Sequence, residues 1–189
     1  METLSALSSL FAAFGLSSAA GLNAYIPLLT IGALQRLGYL TLSEPYSVLG
    51  STPALVILGA LALIDFIGDK VPVVDHVLHI IGGVVHPVAG AIAFASQSGA
   101  VSALHPVLAL ALGVVLAGGF HAARATIRPA ATATTAGLGN PVVSLLEDIT
   151  ALVLSLLAFL APLIAFALFV ALLLLIVGAW RAWRRVLRH

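Results

Sequence analysis

Asp75, His79, Gly82 and His86 follow one another at spacings of four, three and four, which places them on one face of a helix. His121, Arg124 and Arg128 repeat the pattern, Asp65 and Asp69 stand four apart, and Ser144, Glu147, Asp148, Ala151 and Ser155 form a slightly broader stripe. Carboxylates beside imidazoles can hold a proton, a monovalent cation or a divalent metal, with guanidinium groups as counter-charge. Pairing Asp65, Asp69, Asp75, Glu147 and Asp148 against Lys70, Arg124 and Arg128 leaves two acids over, with His76, His79 and His121 close by. The candidates for binding an ion or small polar solute are therefore Asp148, Glu147, His79, Asp75, His121, Arg124, Arg128, Asn23 and His86. A divalent metal would draw on His79, His121, Asp75 and Asp148.

These groups sit in a chain of 189 residues that is 61% hydrophobic and 8% charged. A soluble domain has roughly 25% charged residues, so the chain reads as an all-α bundle of membrane-spanning helices forming a single domain. Spans of about 20 apolar residues fit near residues 5–37, 53–68, 72–95, 104–127, 141–161 and 163–180, with a basic tail at 181–189. The first span is interrupted by Gly21, Asn23 and Pro27, and proline removes a helical hydrogen bond. From Val142 to Trp180 the chain is almost unbroken hydrocarbon, folded here into a hairpin near Pro162.

With six spans, Lys70, Arg124, Arg128, Arg181, Arg184, Arg185 and Arg188 fall on one side and Arg36 on the other. Cytoplasmic loops carry the Lys/Arg excess, so both termini are expected in the cytoplasm and the chain in the inner membrane. Trp180 and Trp183 suit the inner interface as anchors. The first residues lack the basic region of a secretory signal and read as the start of the first span. There are no cysteines, which removes thiolate chemistry. A net charge of +1 argues against a nucleic-acid partner.

Ionisable groups cost about 2.5–3.5 kcal/mol each at the centre of a spanning helix, so the stripes should face the bundle interior and one another. Lys70, Asp69 and Arg128 lie near span ends, where a locking salt bridge is the plainer role. Asp148 and His79 lie deeper, and His86 beside Pro87 is either part of a conduction path or a packing histidine. Thr132, Thr134 and Thr135, with Gly139 and Asn140, make either a turn or an anion site. Pro72-Val73-Val74 and Pro141-Val142-Val143 open two spans alike, which a duplicated helical hairpin would explain.

The segment carrying Asp65, Asp69-Lys70, Pro72, Asp75, His79, Pro87 and Gly90 resembles a bacterial membrane family known as domain of unknown function 4126. So do His121, Arg124, Arg128, Asn140, Ser144 and Glu147-Asp148, and the opening Gly21-Leu22-Asn23-Ala24-Tyr25-Ile26-Pro27-Leu28-Leu29. The resemblance implies a polytopic helical membrane protein and no settled activity. Against that pattern, His79 stands where an acid is expected, His86 and Asn23 where arginine is expected, and Thr132 where asparagine is expected.

The function expected first is a small transporter or channel for an ion or small polar solute, holding a cation or proton and working as a homo-oligomer in the lipid bilayer. A membrane-embedded enzyme using a metal or acting on a lipid headgroup is the second reading, although no HExxH, GxSxG or phosphate loop is present. A structural or assembly protein, its charges only locking helices, is the third.

Overall fold

The computed structural model describes residues 2–69, 72–97, 104–135 and 139–186, with the side chains of residues 2, 72, 73, 75, 76, 127–134, 179 and 182–186 outside the description. Its described residues form seven α-helices: α1 (Glu2–Leu22), α2 (Tyr25–Arg36), α3 (Thr52–Gly68), α4 (Pro72–Ala95), α5 (Pro106–Thr135), α6 (Asn140–Leu160) and α7 (Pro162–Val186). A short 3-10 helix, Tyr46–Gly50, precedes α3. The expected all-α bundle is what forms. Four helices are long and apolar enough to cross a membrane, and Thr52–Gly68 and Pro162–Gly178 are shorter apolar helices. The hairpin near Pro162 lies where expected, with α6 ending at Leu160 and α7 starting at Pro162.

Helix α1 is the central post, packed against α4, α5, α6, α7 and α2. Its buried face is built of small residues, Ala12, Ala13, Ala19 and Ala20, with Ser17 and Ser18. Small side chains let helix backbones approach closely where no water drives association. Helices α4 and α5 approach closely. A Cβ at Gly113 would lie within 2.8 Å of the backbone of Ala91, and Ser17 Oγ donates to the carbonyls of Gly90 (3.2 Å) and Gly113 (3.0 Å). Gly21 plays the same part between α1 and α5, where a Cβ would lie 2.6 Å from the Ala117 carbonyl oxygen. At one end of the bundle Phe11, Phe14, Phe94, Phe166 and Phe169 form an aromatic cluster.

The interruption of the first span is present, at Asn23-Ala24, but the chain reverses there. Asn23, before α2, bonds Asp65 near the end of α3, and Arg36, at the end of α2, bonds Thr52 at its start, so α2 and α3 are antiparallel. Helix α3 is antiparallel to α4, with Gly68 beside Leu78 and Leu58 in a groove with Val85 and Ala89, so α2 and α4 run in parallel. Against α1, α4 is antiparallel: His86 meets Ala20, Gly90 meets Ser17 and Phe94 meets Phe14. Helices α1 and α2 are therefore a helical hairpin with Asn23 at its tip, and the expectation of one interrupted span over residues 5–37 is corrected. The α2 arm has 12 residues, a rise of about 18 Å, less than a hydrocarbon core.

The reversal also separates the chain ends. Helix α1 begins at the aromatic end, while α7 descends from Phe166, beside Phe14, past Leu172 to Ile176, beside Arg124 and Glu147. The two ends of the described chain thus lie at opposite ends of the bundle. Helix α5 likewise runs on to Thr135, past the expected end near residue 127, through the alanine-rich stretch 130–133 whose helix propensity is high.

Candidate functional site

The site begins with where the hairpin's backbone hydrogen bonds go. In an unbroken helix the amides of Tyr25 and Ile26 would reach the carbonyls of Gly21 and Leu22. Here both donate to Asn23 Oδ1, at 3.0 and 3.1 Å, so the Asn23 side chain caps α2. Pro27 has no N–H to offer. The last carbonyls of α1 thereby become available to side chains. His86 Nδ1 lies 2.7 Å from the Ala20 carbonyl oxygen, and Arg124 Nη1 donates to Leu22 O at 2.9 Å. Since a carbonyl only accepts, His86 carries its proton on Nδ1.

The other end of the Asn23 amide ties two helices. Nδ2 donates to Asp148 Oδ1 of α6 at 2.9 Å and to Asp65 Oδ2 of α3 at 3.2 Å. Asn23 is 2% exposed. Beside it, Arg124 of α5 pairs with Asp69 of α3 (Nη2–Oδ2, 3.0 Å) and Glu147 of α6 (Nε–Oε2, 2.7 Å). Ser144 donates to the same Asp69 oxygen at 2.6 Å. Side chains from α3, α5 and α6 and the α1–α2 tip therefore meet in one buried layer. Breaking such a pair by removing one partner costs about 3–5 kcal/mol.

Three imidazoles complete the layer. His121 of α5 is stacked between two histidines of α4, with ring centroids 4.3 Å from His86 and 5.0 Å from His79. Gly82 makes room, because a Cβ there would stand 2.9 Å from His121 Cε1 and 3.0 Å from His86 Cδ2. Burial grades along the column, from half-buried His79 to His121 (7% exposed) and His86 (4%). Asp65, Asp69, His79, His86, His121 and Arg124 line a polar chamber of about 10 Å³, room for one water molecule. A wider apolar groove of about 250 Å³ reaches Arg124 and Glu147 from the side, between Leu22, Phe120, Leu146 and Leu172.

Of the residues singled out in the sequence, Asn23, His79, His86, His121, Arg124, Glu147 and Asp148 come together in or against this layer. Asp75 and Arg128 have side chains outside the described residues, as do His76, Thr132 and Thr134, and Lys70 lies outside altogether. Thr135 Oγ1 accepts from the Gly139 amide at 3.0 Å, forming the turn into α6. Among the described residues no three His, Asp or Glu side chains are placed to hold a metal ion. Asp65 and Asp69 were not among the binding candidates, yet both are central; their four-residue spacing was the available signal. The carbonyls of Ala20 and Leu22 were signalled only indirectly, by the helix breakers around them.

A family model described as Domain of unknown function (DUF4126) matches residues 10–182, so the chain belongs to that family. No curated protein and no solved structure matches it.

Proposed function

We propose that this member of the DUF4126 family is a small membrane transporter or channel, and that its ion binds in the layer at the tip of the α1–α2 hairpin. The observation that carries the reading is the Asn23 amide, buried at a helix break and shared by carboxylates of two other helices. A helix ending inside a bundle, with its freed carbonyls turned to charged side chains, is the arrangement in which membrane transporters bind substrates and coupling ions. The one-water chamber supports a small ion over a metabolite-sized solute. Assembly of several copies belongs to the same proposal, since alternating access within one such small bundle is demanding.

The Lys/Arg excess at the layer end orients that end to the cytoplasm. The N-terminus then faces the other side, beside Arg36 and the loop before α3. The test of the function is Asp148→Asn in reconstituted vesicles. Ion-driven current or uptake should fall to background while the protein keeps its gel-filtration profile. A neutral variant that transports like wild type rules out the carboxylate role.

A further inference from the structure

The identity of the ion can be narrowed from the way the imidazoles are placed. His79, His121 and His86 form a column with one half-buried end and one buried end, and all three line the chamber that Asp65 and Asp69 also face. A dehydrated metal or alkali cation asks for a shell of several oxygen ligands. This chamber instead presents three ring faces or edges and a guanidinium, beside two carboxylates, around space for one water. Asp69 and Glu147 are already engaged with Arg124, which leaves few oxygens for such a shell, whereas a proton passed between bases needs none.

Resting on the transport reading, we infer that the ion is the proton, and that the imidazoles of His79 and His121 pass it, through water in the chamber they both line, between one end of the bundle and the aspartates at the hairpin tip. Ring N–H bonds lie in the ring plane, so these stacked rings exchange protons through the chamber water and not face to face. His79 is the accessible entry. His121, held between two rings, is the relay. Its imidazolium gives a proton to water in the chamber, which passes one to a carboxylate oxygen of Asp65. The ring returns to neutral and the carboxylate becomes a neutral acid, so charge and protons balance without any other reactant. His86, with Nδ1–H committed to the Ala20 carbonyl, has Nε2 as its accepting nitrogen, on the side where Gly82 leaves space. The shared Asn23 amide donates to both Asp65 and Asp148, so protonation of Asp65 is felt at Asp148 without a proton crossing the amide. Charged groups bearing on the relay are Asp65 and Asp69 of α3, Arg124 of α5 and, through Arg124, Glu147 of α6.

The test uses the full chain in vesicles containing a pH-sensitive dye, with potassium and valinomycin setting the potential. Sodium and rubidium tracer uptake is followed in parallel. Wild type should dissipate an imposed pH gradient, and His121→Phe, which keeps an aromatic ring in the stack, should slow this at least tenfold while melting at the wild-type temperature. Should His121→Phe disturb folding, His79→Phe tests the same path at its more accessible end, where a several-fold loss is expected. Wild-type proton flux in a folded histidine variant overturns the inference. Sodium or rubidium uptake without proton flux also overturns it but leaves the transport reading standing. Absence of all three fluxes in wild type overturns both.

Discussion

Asn23 shows how much one side chain can do when the backbone around it is interrupted. Its oxygen caps α2 and its nitrogen holds Asp65 and Asp148, so helix geometry and carboxylate chemistry share an atom group. Two substitutions separate the roles. Asn23→Ala loses both, and should destabilise the protein by about 2–4 kcal/mol from a lost cap and charge-assisted hydrogen bonds. Asn23→Asp keeps an acceptor for the α2 amides but sets a third carboxylate against two. Its penalty should therefore be larger at pH 8 than at pH 5, where a protonated acid regains a donor. Thermal unfolding in detergent at both values checks this, and a pH-independent penalty would contradict the shared-amide geometry. At this scale the sequence was informative about side chains and silent about backbone. Gly21, Asn23 and Pro27 announced a break, but nothing in them says that Ala20 and Leu22 would offer carbonyls to His86 and Arg124. Asp69 reads as a locking salt bridge for a physical reason: near a span end a carboxylate can snorkel, and sequence cannot distinguish that from turning inward.

Between elements, the fold depends on which small residues lie at crossings. Gly82, Gly83, Gly113, Gly118 and Gly119 look alike in the sequence. In the structure a Cβ at Gly113 would strike the backbone of Ala91 and the Gly90 carbonyl, whereas one at Gly83 or Gly119 meets nothing within 4 Å. Gly113→Val should therefore prevent α4 and α5 from crossing. Gly83→Ala and Gly119→Ala should be neutral or slightly stabilising, by up to about 1 kcal/mol from helix propensity. Comparing folded yield by gel filtration checks the contrast, and a well-folded Gly113→Val would contradict the crossing. The element boundaries were largely legible, because apolar length and proline position fix where α3, α4, α6 and α7 begin. The direction of α2 was not. A break signal carries no angle, and a short apolar arm reads equally well as the continuation of a span or its return. The length of region 5–37, too great for one span of about 20 residues, was the clue to the reversal.

For the whole molecule, the hairpin changes the topology without disturbing the charge segregation that suggested it. Arg124 lies at the layer end and Arg36 at the far end, and residues 1–35 contain no Lys or Arg to oppose an N-terminus on the far side. The absence of cysteine makes this open to single-cysteine labelling. A cysteine at Ser5 or Ser43 should react with an impermeant reagent from the side opposite one at Arg181, and same-side labelling of Ser5 and Arg181 would contradict the hairpin. The apolar outer faces of α3, where Val56, Ile57, Leu63, Ile64 and Ile67 are exposed, suit contact with lipid chains. They leave its polar end, Asp65 and Asp69, to tie that helix to the buried layer.

The central claim is that this layer, gathered from separate helices at the hairpin tip, takes up and releases a mobile charge. Charge displacement after a pH step, recorded on protein adsorbed to a solid-supported membrane, tests it most directly. Wild type should give a transient current that Asp148→Asn lacks while melting at a similar temperature. Equal currents from both proteins, or none from either, would contradict it.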